Sequence, residues 1–152
     1  MVYSVYLRNA LVSIVTARQA LQSYKRTGIR NFKSVAAYHT QQAVEYVLKY
    51  QIYNAPQYRE GKSEQEIPQI FSHDIDYLIT KYCDRNNIAV PGKIESHAEM
   101  ISRWEAESRY KLTFSARIDS IRSVLDETEN WLCDIKPVYR QIVASKKLKY
   151  TV

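Results

Sequence analysis

Three histidines are the side chains best suited to move protons near neutral pH, and their neighbours decide what each could do. His39 lies inside a long apolar-periodic stretch one turn before Gln42, His73 is followed by Asp74, and His97 sits just after the turn residues Pro91 and Gly92. None stands at metal-ligand spacing from another histidine or a cysteine, so no metal and no cofactor is expected. A histidine without a nameable hydrogen-bonding partner is more often a helix-boundary residue than a ligand. Glu45 and Lys49 are four apart, in the order that favours an ion pair on a helix surface, worth roughly tenths of a kcal/mol. Gln42, Glu45 and Lys49 share one strip with Tyr38, and such a strip could line a groove. Arg103, Arg109, Lys111, Arg117 and Arg122 make the second half of the chain locally basic, diluted by Glu105, Glu107 and Asp119. There is no glycine-rich phosphate loop, GxSxG elbow, HExxH or aromatic RNA-binding consensus. Residue types alone leave enzyme and interaction module level.

The elements that must carry these residues are helices. Phe32, Ala36, Ala43, Val47 and Tyr50 repeat at the period of an amphipathic helix, and Ala37, Val44 and Leu48 widen the stripe to a broad arc. Only Tyr38, Gln41, Gln42, Glu45 and Lys49 are left as a polar strip, so this central helix needs partners on more than one side. Before it, Tyr3, Leu7, Ala10, Ile14, Ala17, Leu21 and Tyr24 make a bundle seam over residues 2–25. Leu11, Val12 and Val15 lie off that seam and suit either another helix of the bundle or a dimer surface. Gly28 supplies a left-handed stop, and Asn31 is a suitable cap for the next helix. Residues 54–69 read as a loop with one turn after a Ser63–Glu66 capping box. Ser72 then caps a third helix carrying Phe71, Ile75, Leu78 and Tyr82, ending near Asn86 and Asn87. A fourth follows a Ser96–Glu99 capping box with Ala98, Ile101 and Trp104. The last long helix starts near Thr113, with Phe114, Ile118, Ile121, Leu125, Leu132, Ile135 and Tyr139 in line, Trp131 on its flank and a break at Pro137.

These pieces predict an all-α fold, an antiparallel up-and-down bundle of four main helices with short extra helical segments. At 152 residues the chain suits one domain over residues 1–145, followed by a short basic tail, 146–152, with Lys146, Lys147 and Lys149. Thirteen tyrosines recur at helical spacing and fit amphipathic packing with the hydroxyl outward. A net charge of +6 permits contact with nucleic acid without requiring it. Cys83 and Cys133, far apart, leave a disulfide open but fit inert intracellular thiols better. Arg8 and Arg18 interrupt the apolar run that a signal peptide would need, and no stretch approaches a membrane span. A cytoplasmic protein is the expectation.

Assembled in order, HTQQAVEYVLKYQI, then SHDIDYLI after a variable loop, then ESRYK before a long terminal helix resemble a HEPN domain from about residue 35 to 131. The most specific parts are QQAVEYVLK, against a family pattern Q-A-x-E-x-x-L-K, the His73–Asp74 pair with Leu78, and Arg109–Tyr110. The resemblance implies an up-and-down bundle, frequently a homodimer, often working beside a minimal nucleotidyltransferase, in some cases as toxin and antitoxin. Many members are ribonucleases that use an arginine followed by four to six residues and a histidine, two copies meeting across a dimer. That arginine-to-histidine spacing is absent here: Arg30 is too far ahead of His39, and Arg59 and Arg85 are too far ahead of His73 and His97. No catalytic residue is carried over. The implied function is a non-catalytic, dimeric binding module for a nucleotide-like ligand, with possible RNA contact, or for a partner nucleotidyltransferase. The polar positions matching the family's pattern are His39, Gln42, Glu45, Lys49, His73, Arg109 and Tyr110. The alternatives are a divergent metal-independent ribonuclease or toxin in which Arg109 and a histidine converge, and a purely structural bundle.

Overall fold

The computed structural model describes the backbone of residues 3–110 and 116–150 and the side chains of 3–108 and 116–145. Among them there is no strand, and the fold is the all-α bundle expected. Helix α1 (Ser4–Thr27) and helix α2 (Arg30–Asn54) pack as an antiparallel hairpin, with Tyr3 at the start of one stacked on Tyr53 at the end of the other, 4.7 Å between ring centroids. Gly28 makes the reversal possible: at φ +69° it donates its N–H to the Tyr24 carbonyl at 2.7 Å, a backbone conformation that a Cβ disfavours. The cap of α2 is Ile29 rather than Asn31, and Thr27 Oγ1 accepts the Ile29 N–H at 3.2 Å in place of a side-chain cap.

Packing partners surround α2. Ala36, Ala37, Ala43, Val44, Val47, Leu48 and Ile52 are fully buried, and the helix touches α1, helix α6 (Ala98–Tyr110) and helix α7 (Ile118–Ile135). Alanines at three of those positions let neighbouring backbones approach. The expected polar strip is not a solvated face: Gln41, Glu45 and Lys49 are buried along with Thr40, while Tyr38 and Gln42 are half-buried. On α1 the seam from Tyr3 to Leu21 is buried, Leu11 and Val15 are half-buried, and Val12 stands 63% exposed.

Between α2 and α6 run short pieces. Helix α3 (Pro56–Arg59) begins with proline, whose missing N–H costs nothing there, and Ser63 with Glu66 forms the expected capping box of a 3-10 turn, Glu64–Glu66. Helix α4 (Ile75–Leu78) is capped by Asp74, whose carboxylate accepts the Tyr77 N–H at 3.1 Å, and not by Ser72; Phe71 lies outside the helix, 83% exposed. It runs on into a π-helical turn, Ile79–Cys83. Asn87 ends this segment at φ +55°, with the Ile88 N–H donating to Cys83 O at 3.0 Å, a left-handed cap of the Schellman type built on asparagine. Ser96 closes helix α5 (Gly92–Ser96) instead of opening α6, so its expected capping box with Glu99 does not form.

The stripe of α7 packs as read: Ile121, Leu125 and Leu132 are fully buried and Trp131 nearly so. Helix α7 starts at Ile118 behind the extended Arg117, later than the expected start near Thr113, which with Phe114 lies outside the described residues. Pro137 breaks the helix as expected, α7 ending at Ile135 and helix α8 (Tyr139–Tyr150) restarting after it; the side chains of Lys146, Lys147 and Lys149 are outside those described. Both cysteines are buried and free, and burial pushes the Cys83 thiol up to about 12, which leaves it inert. Among the described residues no helix is long and apolar enough to cross a membrane.

Candidate functional site

Four of the polar residues singled out by sequence lie on α2, and the fold sorts them into two groups. Glu45 and Lys49 point into the bundle as a helical i, i+4 pair, Lys49 Nζ donating to Glu45 Oε2 at 3.0 Å with both side chains less than a tenth exposed. His73 comes to them from the segment before α4: its Nδ1 is 2.9 Å from Glu45 Oε2 and 3.1 Å from Oε1, and its side chain is 67% exposed. A carboxylate only accepts, so this geometry assigns the hydrogen to Nδ1 and leaves Nε2 as the lone-pair nitrogen of the neutral ring. Nε2 has no partner among the described residues. Neutral, it can accept a hydrogen bond or a proton; protonated, the ring becomes a cationic donor beside a Glu45–Lys49 pair whose charges cancel.

Other residues fix this approach. Gln41, buried one turn before Glu45, donates from Nε2 to the carbonyls of His73 at 3.4 Å and Ser102 at 3.3 Å, and its Oε1 accepts the Glu105 N–H at 2.6 Å. Asp74 and Ser102 add a second tie: Ser102 Oγ lies 3.1 Å from Asp74 Oδ1 and accepts the Asp76 N–H at 3.1 Å. The His73 segment is thus held to α2 and α6 at once. Sequence reading placed Gln41 only in a polar strip; its signal was a primary amide amid a near-continuous apolar arc.

The second group is Tyr38, His39 and Gln42. Gln42 Nε2 donates to the Tyr38 hydroxyl at 2.8 Å, and the His39 ring meets Tyr38 edge-on with centroids 5.0 Å apart. His39 Nδ1 is buried with no hydrogen-bond partner. Burial lowers the proton affinity of this ring below its ordinary value, although Gln42 opposes the shift. His39 and Gln42 therefore do not join the Glu45–Lys49–His73 cluster through any hydrogen bond among the described residues. The side chains of Arg109 and Tyr110, the remaining pair, lie outside those described. His97 is elsewhere, its Nδ1 2.7 Å from the Lys93 carbonyl in a helix-end role.

A further polar cluster ties α1 to α7. Arg18 Nε donates to Glu129 Oε1 at 2.9 Å and its Nη2 to Asp126 Oδ1 at 2.8 Å. Burial works against the Arg18 charge, but the hydrogen bonds and charges of Asp126 and Glu129 outweigh it and hold the proton more firmly. It is a structural clasp, and its sequence signal was an arginine inside an apolar-periodic helix. Among the described residues no group of histidine, cysteine and carboxylates could hold a metal ion. Neither a protein-family model, nor a curated protein, nor a solved structure matches the chain.

Proposed function

We propose that this chain is a non-catalytic, HEPN-like helical binding module that works as a homodimer and contacts its ligand or partner through the surface around His73. The observation that carries this reading is an exposed imidazole oriented by a buried carboxylate, itself neutralised by a buried lysine. A bundle seeking only stability does as well with apolar residues at such positions, since desolvating an ion pair costs about what it returns. Glu45 and Lys49 instead set the direction of His73 Nε2, the kind of fixed polar point that recognises phosphate or a nucleobase edge. A nucleotide-like ligand fits that chemistry, and a nucleotidyltransferase partner fits the resemblance. The test is calorimetric titration of the purified protein with nucleoside triphosphates, with its mass in solution measured alongside. His73→Ala should weaken binding at least tenfold while leaving dimer mass and melting temperature unchanged; wild-type affinity in that variant would sink the reading.

The same pairing supports a second reading, a metal-independent ribonuclease or toxin, because a carboxylate-oriented imidazole is also how proton-transfer histidines are built. RNA cleavage in EDTA, lost in both His73→Ala and Arg109→Ala, would replace the binding module with this enzyme.

A further inference from the structure

A cleft of about 290 Å³ opens where α3 and the chain after it face the π-helical turn and the residues that follow. Its walls combine tyrosine rings, from Tyr58 and Tyr82, with three cations, Lys62, Lys81 and Arg85, and the amide of Asn86. No carboxylate lines it. None of the three cations forms an ion pair among the described residues, although Glu66 lies near enough to Lys62 to feel its charge. A cation at Arg85 answers the negative end of the helix that stops there. Lys62, on the opposite wall, donates to the Tyr58 carbonyl at 3.3 Å, which keeps its ammonium beside the cleft's aromatic wall.

The rings are fixed before any ligand arrives. Tyr82 stands edge-on to both Tyr58 and Tyr77, at 6.0 and 6.2 Å between centroids, and Tyr58 spends its hydroxyl on the Pro68 carbonyl at 2.6 Å. Lys81 Nζ donates to the Tyr77 hydroxyl at 2.7 Å and lies 5.2 and 5.6 Å from the ring centres of Tyr77 and Tyr82, so its ammonium is preset over the cleft's aromatic wall. The π-helical turn, a form frequent at functional sites, sets this register: it buries Ile79 and Cys83 and leaves Lys81 outward, with Tyr82 half-buried at the wall.

We infer that this cleft seats one nucleotide unit, a base stacked against the tyrosines with its phosphate held by Lys62, Lys81 and Arg85. The volume is at the small end of ligand pockets, enough for a single base, and stacking with backbone neutralisation is how single strands are bound without sequence readout. The ligand is either a free nucleotide or one unit of single-stranded RNA. The cleft shares no residue with the Glu45–Lys49–His73 cluster, so it goes beyond the function proposed above and is independent of it.

The test measures binding of AMP and of a fluorescent oligo(A) to the full chain. Variants are Tyr82→Leu, Lys81→Ala with Arg85→Ala, and His73→Ala, with melting curves to confirm folding. A loss of at least tenfold in both cleft variants, with His73→Ala retaining affinity, supports the cleft. Oligo(A) binding tighter than AMP, with a log–log salt slope of about −0.7 as one neutralised phosphate on a single strand requires, identifies RNA as the source; equal affinity for AMP identifies a free nucleotide. Wild-type affinity in the cleft variants, or no binding of either probe by the wild type, overturns the inference. The His73 reading is tested separately by triphosphate titration of His73→Ala in the Tyr82→Leu background, where the cleft no longer contributes: affinity equal to that of Tyr82→Leu alone means that reading fails.

Discussion

At the scale of single residues, Glu45 and Lys49 change meaning between one dimension and three. Their spacing is that of a surface pair, yet the two residues are 7% and 5% exposed. Removing one partner leaves the other charge buried, so Glu45→Gln and Lys49→Met should each cost about 3 kcal/mol. Replacing both with Glu45→Leu/Lys49→Met removes two buried charges together and should lose much less than the sum of the singles. Urea denaturation of the four proteins measures this; additive single losses would mean that the pair is solvated. The His73 ring, mostly in water, contributes little to that balance.

At the scale of elements, the hairpin of α1 and α2 is closed against α7 partly by the Arg18 clasp. Its two arms are unequal, because the Glu129 side chain is 7% exposed and that of Asp126 is 55% exposed. Arg18→Met strips the buried carboxylate of this cation and should destabilise by about 2–4 kcal/mol, whereas Asp126→Asn should cost less than about 1 kcal/mol. Equal losses by urea midpoint would place the tie on the solvent side of the interface.

At the scale of the whole molecule, His39 makes stability depend on pH. Its ordinary value is 6.5 and the folded protein lowers it, so the unfolded chain binds more protons below that value. The bundle keeps full stability from this group above about pH 6.5 and loses it as pH falls from there toward the lowered folded value. His39→Met also removes a buried ring nitrogen that lacks a partner, and should be neutral or stabilising at pH 7.5. Between about pH 7.5 and pH 5 the wild type should lose more stability than His39→Met in urea titrations. An identical pH dependence in the two proteins would show that His39 is solvated in the folded state. His73 and His97, common to both proteins, cancel in the comparison.

Sequence alone determined where the helices run, because the signals are local. Apolar steps of three and four residues placed α1, α2 and α7, a glycine in the left-handed region stopped α1, and Pro137 broke the last helix. The choice between Ser72 and Asp74 as cap was not local: Asp74 is held by Ser102 from α6, which the chain near residue 72 does not reveal. Nor could periodicity show the π-helical turn, since one extra residue in a turn leaves the apolar pattern readable as an ordinary helix. For the candidate site, the residue types on α2 were legible, and their arrangement was not. Whether a polar strip faces water depends on what packs over it, and here α6 and the His73 segment cover Gln41 and Glu45. Tertiary structure alone brought His73 to Glu45 across 28 positions of chain, because long-range contacts follow from packing and loop closure rather than from any spacing along the sequence.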